Sequence, residues 1–373
     1  MEVDLEQYQN NLIHISKHVG HAQLIPVVKA DAYGHGAIEL ARCCESLGVS
    51  ALAVATLEEG IALREAFIKS PILLFGAVPN SLIPDLLNHK ITPTVCDPEF
   101  ASELNEQAQR WGQTCPIHVY VDTGMGRMGQ DTHNTLKWWE RLTSLPQLSI
   151  QGLYSHLAVS DEWSEEHLSF TEQQIALFNS FCQQACISKD IQLHLANSGA
   201  VISLPHTHMQ AVRPGLLSYG ISPREDQKTV SGVMPIQRLC CRPLFIKNMK
   251  KGQSIGYGRT YTLQKDSNIA TLPIGYADGL PRSLGNKLMV GTPDGKRHPV
   301  VGRICMDMVM VNLEDNIYPL DSEFEIMGSK STDIYQWSSA CNMIPYEILT
   351  GLGRRWTRCY IKNGNVIDIL RSP

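Results

Sequence analysis

A lysine at the end of an apolar run is the first residue in the chain placed for covalent chemistry. In IPVVKADAYGHG (25–36), Lys29 follows Ile25, Val27 and Val28, which read as a buried strand. The Gly34-His35-Gly36 turn then leads into a stretch of helical periodicity, so Lys29 sits where a strand meets its following loop. Desolvation lowers the pKa of an ammonium group, and the neutral amine is a nucleophile. The plainer reading is a lysine that snorkels from a strand end or pairs with Asp31. Further along, other polar groups close apolar runs in the same way. They are Arg127 in DTGMGRMG, His156 in YSHLA, His194, Asn197 and Ser198 in HLANSG, and Arg213 in VRPG. Any one could be a structural ion pair or a cap. Together they ask for a common site.

Two loops add a phosphate signal. Asn197-Ser198-Gly199 and Pro214-Gly215-Leu216 offer hydroxyl and backbone N–H donors beside glycine. An amine nucleophile with a phosphate cradle implies pyridoxal 5'-phosphate. Gly124, Gly126 and Gly129 spell GxGxxG, but Arg127 interrupts the turn and QDTHN delays the helix, so dinucleotide binding is rejected. His206 and His208 lack a third ligand nearby, so no metal site is expected.

The elements that must position these groups alternate. Strands are expected at 24–29, 50–55, 71–75, 91–95, 115–121, 149–154, 191–195 and 210–213, with helical stretches between them. That pattern predicts an α/β fold opening with an N-terminal (β/α)8 barrel, whose chemistry belongs at the C-terminal ends of its strands. At SPREDQKTVSG (222–232) the composition turns polar, and short β-rich runs follow. The expected division is a barrel over 1–230 and a mostly β C-terminal domain over 231–373. A chain of 373 residues suits two domains.

Composition removes other classes. A net charge of −5 argues against a nucleic-acid footprint, and no apolar stretch is long enough to span a membrane. The acidic start MEVDLEQYQN lacks the apolar core of a signal peptide, so a cytoplasmic protein is expected. The 11 cysteines form no CxxC pair and read as small buried residues of a reducing compartment.

With these residues in place, the chain resembles the alanine racemase family, fold-type III pyridoxal-phosphate enzymes, over nearly its whole length. The matching motifs are VVKADAYGHG, DTGMGRMG, YSHLA, ANSGA, VRPGLLSYG, GYGRTYT, PIGYADGLPR, VGRICMD and PYEILTGL, in family order. The resemblance implies that Lys29 holds the cofactor covalently and then serves as one proton-transferring base. Tyr257 would be the other, since racemisation exchanges protons on both faces of Cα. His156 would tune Tyr257, Arg213 would face the pyridine nitrogen, and His194 would support Arg213. Tyr33, Ser198, Gly215, Leu216 and Tyr346 match the phosphate set, with Asn197 beside it. Arg127 matches the residue at the cofactor's phenolic oxygen near the substrate carboxylate, and Met306 a backbone contact to that carboxylate.

The resemblance further implies a small amino acid substrate, D-alanine supply for peptidoglycan, and a homodimer with shared active sites. Two positions depart from the family. Tyr120 replaces a lysine whose carbamate positions the arginine, so a bound anion near Arg127 is an expected substitute. Met308 replaces the usual glutamine of ICMDQ. A racemase for serine or for many amino acids needs only a reshaped pocket. A basic amino acid decarboxylase would place an acid where Arg213 stands, and a non-enzymatic cofactor carrier of this kind would lack the second domain.

Overall fold

The apolar runs pair side by side in chain order. In the computed structural model, which describes residues 1–224, 226, 232–329, 331–353 and 355–371, eight parallel strands share one sheet. They are β1 (Gln23–Leu24), β2 (Leu52–Val54), β3 (Ile72–Leu74), β4 (Thr92–Val95), β5 (Cys115–Asp122), β6 (Leu148–Tyr154), β7 (Gln192–His194) and β8 (Ala211–Val212). β1 pairs with β8, and a parallel bridge from Val27 to Ala53 joins its continuation to β2, so the sheet closes into the predicted barrel. β1 is shorter than expected because Pro26 has no N–H to give. The chain nevertheless stays extended to Val28, whose N–H reaches the Ala53 carbonyl at 2.9 Å.

Seven helices separate the strands: Ala37–Ser46, Leu57–Glu65, Ile83–Asn88, Pro98–Arg110, Thr132–Thr143, Glu165–Gln184 and Ser198–Ser203. β5 shows how the sequence divides its two faces. Ile117, Val119 and Val121 are fully buried on one side, each contributing about 1.5–3 kcal/mol. His118 and Tyr120 alternate with them and point into the barrel. There they meet Tyr154 and His194, whose rings stack at 4.7 Å and 11°. The Tyr154 hydroxyl and Thr94 Oγ1 are 2.8 Å apart. Barrel interiors are usually filled by branched aliphatics. Around β4 to β7 this one carries aromatic and polar side chains instead.

The barrel belongs to a unit of Tyr8–Ala32 and Ala37–Met234. The other unit takes in Met1–Gln7, Tyr33–Gly36 and Pro235–Pro373. It is built on a ten-stranded sheet running from Phe245–Met249 at one edge to Asn365–Leu370 at the other. Its strand Glu2–Asp4 lies between Gln237–Cys241 and Arg358–Lys362, so the first residues of the chain complete a sheet made by the last. The expected boundary between residues 230 and 231 lies outside the described residues, as does most of the polar stretch before it. All 11 cysteines are free. No helix among the described residues is long and apolar enough to cross a membrane.

Candidate active site

Lys29 does not simply end a strand. It opens a left-handed turn, Lys29–Tyr33, in which Ala30, Asp31, Ala32 and Tyr33 all have φ of 52–55°. An L-residue in that region costs roughly 1–2 kcal/mol, so four in succession need outside support. Glu59 supplies part of it. Thr56 and Glu59 form a capping box at the start of Leu57–Glu65. The same Glu59 carboxylate accepts the Ala30 N–H at 2.7 Å and the Ala55 N–H at 2.8 Å. Asp31 accepts the Ala37 N–H at 2.8 Å, which ties the far side of the turn to the next helix. The half-buried Lys29 amine has its pKa lowered by burial and then by the charge of Arg127, with Glu59 opposing.

Arg127 rides on a loop shaped by a carboxylate. Asp122 Oδ1 accepts the N–H groups of Gly124, Met125 and Gly126 at 3.0, 2.9 and 3.2 Å. Gly124, Gly126 and Gly129 all take positive φ, as three successive N–H groups folding onto one carboxylate require. The glycines of the rejected dinucleotide motif therefore serve a tight loop. Arg127 is exposed and makes no ion pair among the described residues. Tyr120 does not bond to it. The Tyr120 ring meets Tyr154 edge-on at 5.1 Å, and a Cβ on Gly129 would lie 2.6 Å from that ring. Its hydroxyl is buried without a hydrogen bond of ordinary geometry, although the Ser155 side chain lies near enough to hold its pKa down a little. Burial chiefly, and then Asp122, push the Tyr120 pKa up to about 12.

Arg213 is 3% exposed and faces no carboxylate. Its Nη1 donates to His194 Nδ1 at 2.7 Å and to the His194 carbonyl at 2.6 Å. Its Nη2 donates to the Ser155 and Leu195 carbonyls at 2.7 and 3.1 Å, and more weakly to His156 Nδ1 at 3.5 Å. The guanidinium also lies 5.1 Å from the Tyr154 ring centroid. Every partner is neutral, and burial lowers its pKa to about 10. Among the described residues nothing accepts from its Nε–H. Burial and then Arg213 hold His156 down to about 3, so the imidazole is neutral.

The two glycine-bearing loops meet at Ser198. Ser198 Oγ accepts the N–H groups of Gly215 and Leu217 at 2.9 and 3.3 Å, leaving its own proton to donate. The Leu216 N–H has no acceptor among the described residues. Asn197 is engaged elsewhere. Its Oδ1 caps the helix through Ala200 N–H and accepts from Ser160, while Nδ2 donates to the Leu157 carbonyl. It shapes the loop that presents Ser198.

The remaining candidates lie in the other unit. The Tyr33 and Tyr346 rings are 5.8 Å apart. Tyr257 stands between Gly256 and Gly258, both with positive φ, and its side chain is 70% exposed. Met306 is also exposed, and its carbonyl accepts the Ala277 N–H at 2.9 Å. Gly275 allows that approach, since a Cβ there would lie 2.2 Å from the Met306 oxygen. Asp307 pairs with Arg355 at 2.8 Å. Among the described residues no cluster of His, Cys, Asp or Glu could hold a metal ion.

Sequence reading missed Glu59, Asp122 and His118. The T-x-x-E pattern at Thr56–Glu59 was legible as a helix start, but its reach to Ala30 was not. Asp122 precedes a glycine-rich loop, a weak sign of a carboxylate collecting N–H groups. His118 sits in an apolar strand and carried no signal.

Residues 3–223 match the family described as alanine racemase, N-terminal domain, and residues 236–360 the alanine racemase C-terminal domain. The chain belongs to the alanine racemase family. An alanine racemase of Clostridium novyi is 36% identical over 375 residues, covering 99% of this chain and 96% of that one. The alanine racemase structure from Clostridium difficile 630 superposes with a TM-score of 0.92 at 33% identity, over 100% of this chain and 97% of that one. A Bartonella henselae alanine racemase with covalently bound pyridoxal phosphate gives a TM-score of 0.87 at 28% identity, over 96% and 98% of the two chains. Membership makes this chain an amino acid racemase, an isomerase, with the expected barrel and β-rich architecture.

Proposed function

We propose that this chain interconverts L- and D-alanine with pyridoxal 5'-phosphate, using Lys29 and Tyr257 as bases on opposite faces of Cα. The observation that carries the reading is the Lys29 amine, held at the barrel rim by a strained turn and shifted toward its neutral form by burial and by Arg127. Pyridoxal phosphate, when bound, supplies an electron sink that acidifies the Cα–H of an amino acid. The donor set fits that group. Lys29 would bind it covalently. The Ser198 hydroxyl, Gly215, the open Leu216 N–H, Tyr33 and Tyr346 would hold its phosphate. Arg127 would meet its phenolic oxygen and Arg213 Nε its ring nitrogen.

An arginine cannot protonate that nitrogen usefully, since even the lowered Arg213 pKa stays near 10. A ring left neutral favours return of the proton to Cα over its diversion elsewhere. Neutral His156, with Nδ1 accepting from Arg213, keeps its proton on Nε2 and is suited to donate it to a phenol oxygen, and in this reading it tunes Tyr257. Arg127 and the Met306 backbone would receive the substrate carboxylate. An anion between the Tyr120 hydroxyl and Arg127 would supply the charge that a carbamate gives elsewhere in the family.

The exposure of Tyr257, Met306, Tyr276 and Ile344 on one unit supports a second copy covering them. We therefore assign a homodimer in which each site draws Tyr257 and Met306 from the partner chain. The absence of a membrane-crossing helix among the described residues and the free cysteines fit work in the cytoplasm, where D-alanine is made for peptidoglycan. A chiral assay with L-alanine, L-serine and L-lysine tests the reading. D-Alanine should form fastest. Faster D-serine or D-lysine formation would reassign the substrate, and no D-product from any of the three would refute racemisation.

A further inference from the structure

We infer that His118, a barrel-interior histidine outside the proposed catalytic set, is a positioning residue that accepts the His194 Nε2–H and so holds that ring in the one tautomer and orientation in which its Nδ1 receives Arg213. The inference rests on the proposed role of Arg213 at the cofactor. Its structural part concerns this chain alone.

The hydrogen bonds allow one polarity. Arg213 can only donate, so His194 Nδ1, at 2.7 Å from Nη1, must accept. A neutral His194 then carries its proton on Nε2. That nitrogen lies 2.8 Å from His118 Nδ1, which must in turn accept. His118 therefore carries its own proton on Nε2. Both rings are buried, at 0% and 6% exposure, and both are held neutral by burial, with Arg213 adding to the effect. Without an acceptor at His118, the His194 Nε2–H would be buried unpaired. The ring would then gain by turning away from its buried position, which would take Nδ1 from Arg213 and leave the tautomer free. His118 removes that alternative. Arg213 Nη1 stays committed to His194, and Nε keeps its direction.

Two features show that the site is built for this ring. Gly152 on β6 lies against it, and a Cβ there would fall 2.3 Å from His118 Nδ1. The β5–β6 register also shifts between Ile117 and His118. At its other end the line opens to a cavity of about 590 Å³ at the N-terminal mouth of the barrel, which His118 lines with Gln23, Ser50, Thr92 and Gln210. The cavity offers room for a partner to the His118 Nε2–H.

The test combines ring-nitrogen NMR of ¹⁵N-histidine-labelled full-length protein with titration of pyridoxal phosphate and alanine kinetics. In the wild type, His194 should be a single Nε2–H tautomer, with or without cofactor. In His118→Leu, the His194 nitrogens should shift toward averaged tautomers. Pyridoxal phosphate affinity should fall about tenfold, the scale of one buried hydrogen bond, and kcat should fall more than KM rises. His118→Asn places an acceptor near the lost Nδ1 and should restore the His194 signals and most of the affinity. Gly152→Ala keeps His118 but displaces its ring, so it should resemble His118→Leu. Equal losses in the Leu and Asn variants would reduce His118 to a packing role and overturn the proposal. Unchanged His194 signals in His118→Leu would overturn it as well. A wild type that neither binds pyridoxal phosphate nor racemises alanine would instead refute the function, because the tautomer pattern is read in cofactor-free protein.

Discussion

Replacing Tyr120 by phenylalanine should stabilise the cofactor-free protein. The Tyr120 hydroxyl is buried without a well-formed hydrogen bond, Ser155 giving it at most a poorly aligned one, and its ring contacts with Tyr154 and Gly129 do not involve that oxygen. A buried hydroxyl without a partner costs about 1–3 kcal/mol. Phenylalanine keeps the ring and leaves a gap of only one oxygen atom. With a pKa of about 12 the phenol is neutral at working pH, so no charge is lost. The net gain should be about 1 kcal/mol, or roughly 2–4 °C in Tm for a barrel of this size. Thermal denaturation in chloride-free buffer reads it directly. Adding chloride should shrink the gain if an anion bridges the hydroxyl and Arg127, and Tyr120→Phe should then slow L-alanine turnover more than it weakens cofactor binding. A destabilisation of about 1 kcal/mol or more without chloride would show that the hydroxyl is paired in the folded protein, and the reasoning would fail.

Lys29→Ala should abolish both racemisation and the absorbance of covalently held cofactor, and an unchanged spectrum would remove Lys29 from its role. Tyr257→Phe should retain that absorbance while racemisation falls by more than about 10²-fold, the scale of general acid–base catalysis; a near-normal rate would show that another group is the second base. Stability should also depend on acid. His118 and His156 are held down to about 4 and about 3, so the unfolded chain binds their protons first as pH falls below about 6.5. Stability is therefore full above about pH 7 and declines toward pH 4, by up to about 1.4 kcal/mol per pH unit for each histidine. Denaturation midpoints that stay flat from pH 7 to 4.5 would mean that the rings are charged or exposed in the native protein.

The sequence was most legible where structure follows periodicity. Each of the eight strands was visible as an apolar run, and Lys29, His156, His194 and Arg213 could be placed at strand ends before any geometry was known. Local patterning could not reveal the left-handed turn at Lys29–Tyr33. Ala-Asp-Ala has no preference for positive φ, and the turn rests on Glu59, which lies 29 residues from Ala30. Nor could it reveal that Glu2–Asp4 completes a sheet with Arg358–Lys362, a pairing fixed by tertiary contact alone. His118 was hidden for a related reason. A histidine among Ile117, Val119 and Val121 looks like a filled core position, and its meaning depends on the ring nitrogens it meets across the barrel.

Mixing two inactive variants tests the central claim most directly. Lys29→Ala and Tyr257→Phe chains should each be unable to racemise alanine. After subunit exchange, a heterodimer holds one site with both native bases and one with neither. Random exchange should therefore restore about a quarter of wild-type activity, since half the dimers are hybrids and half of their sites are whole. Confirmed heterodimers with no activity would contradict a site in which Lys29 of one chain works with Tyr257 of the other.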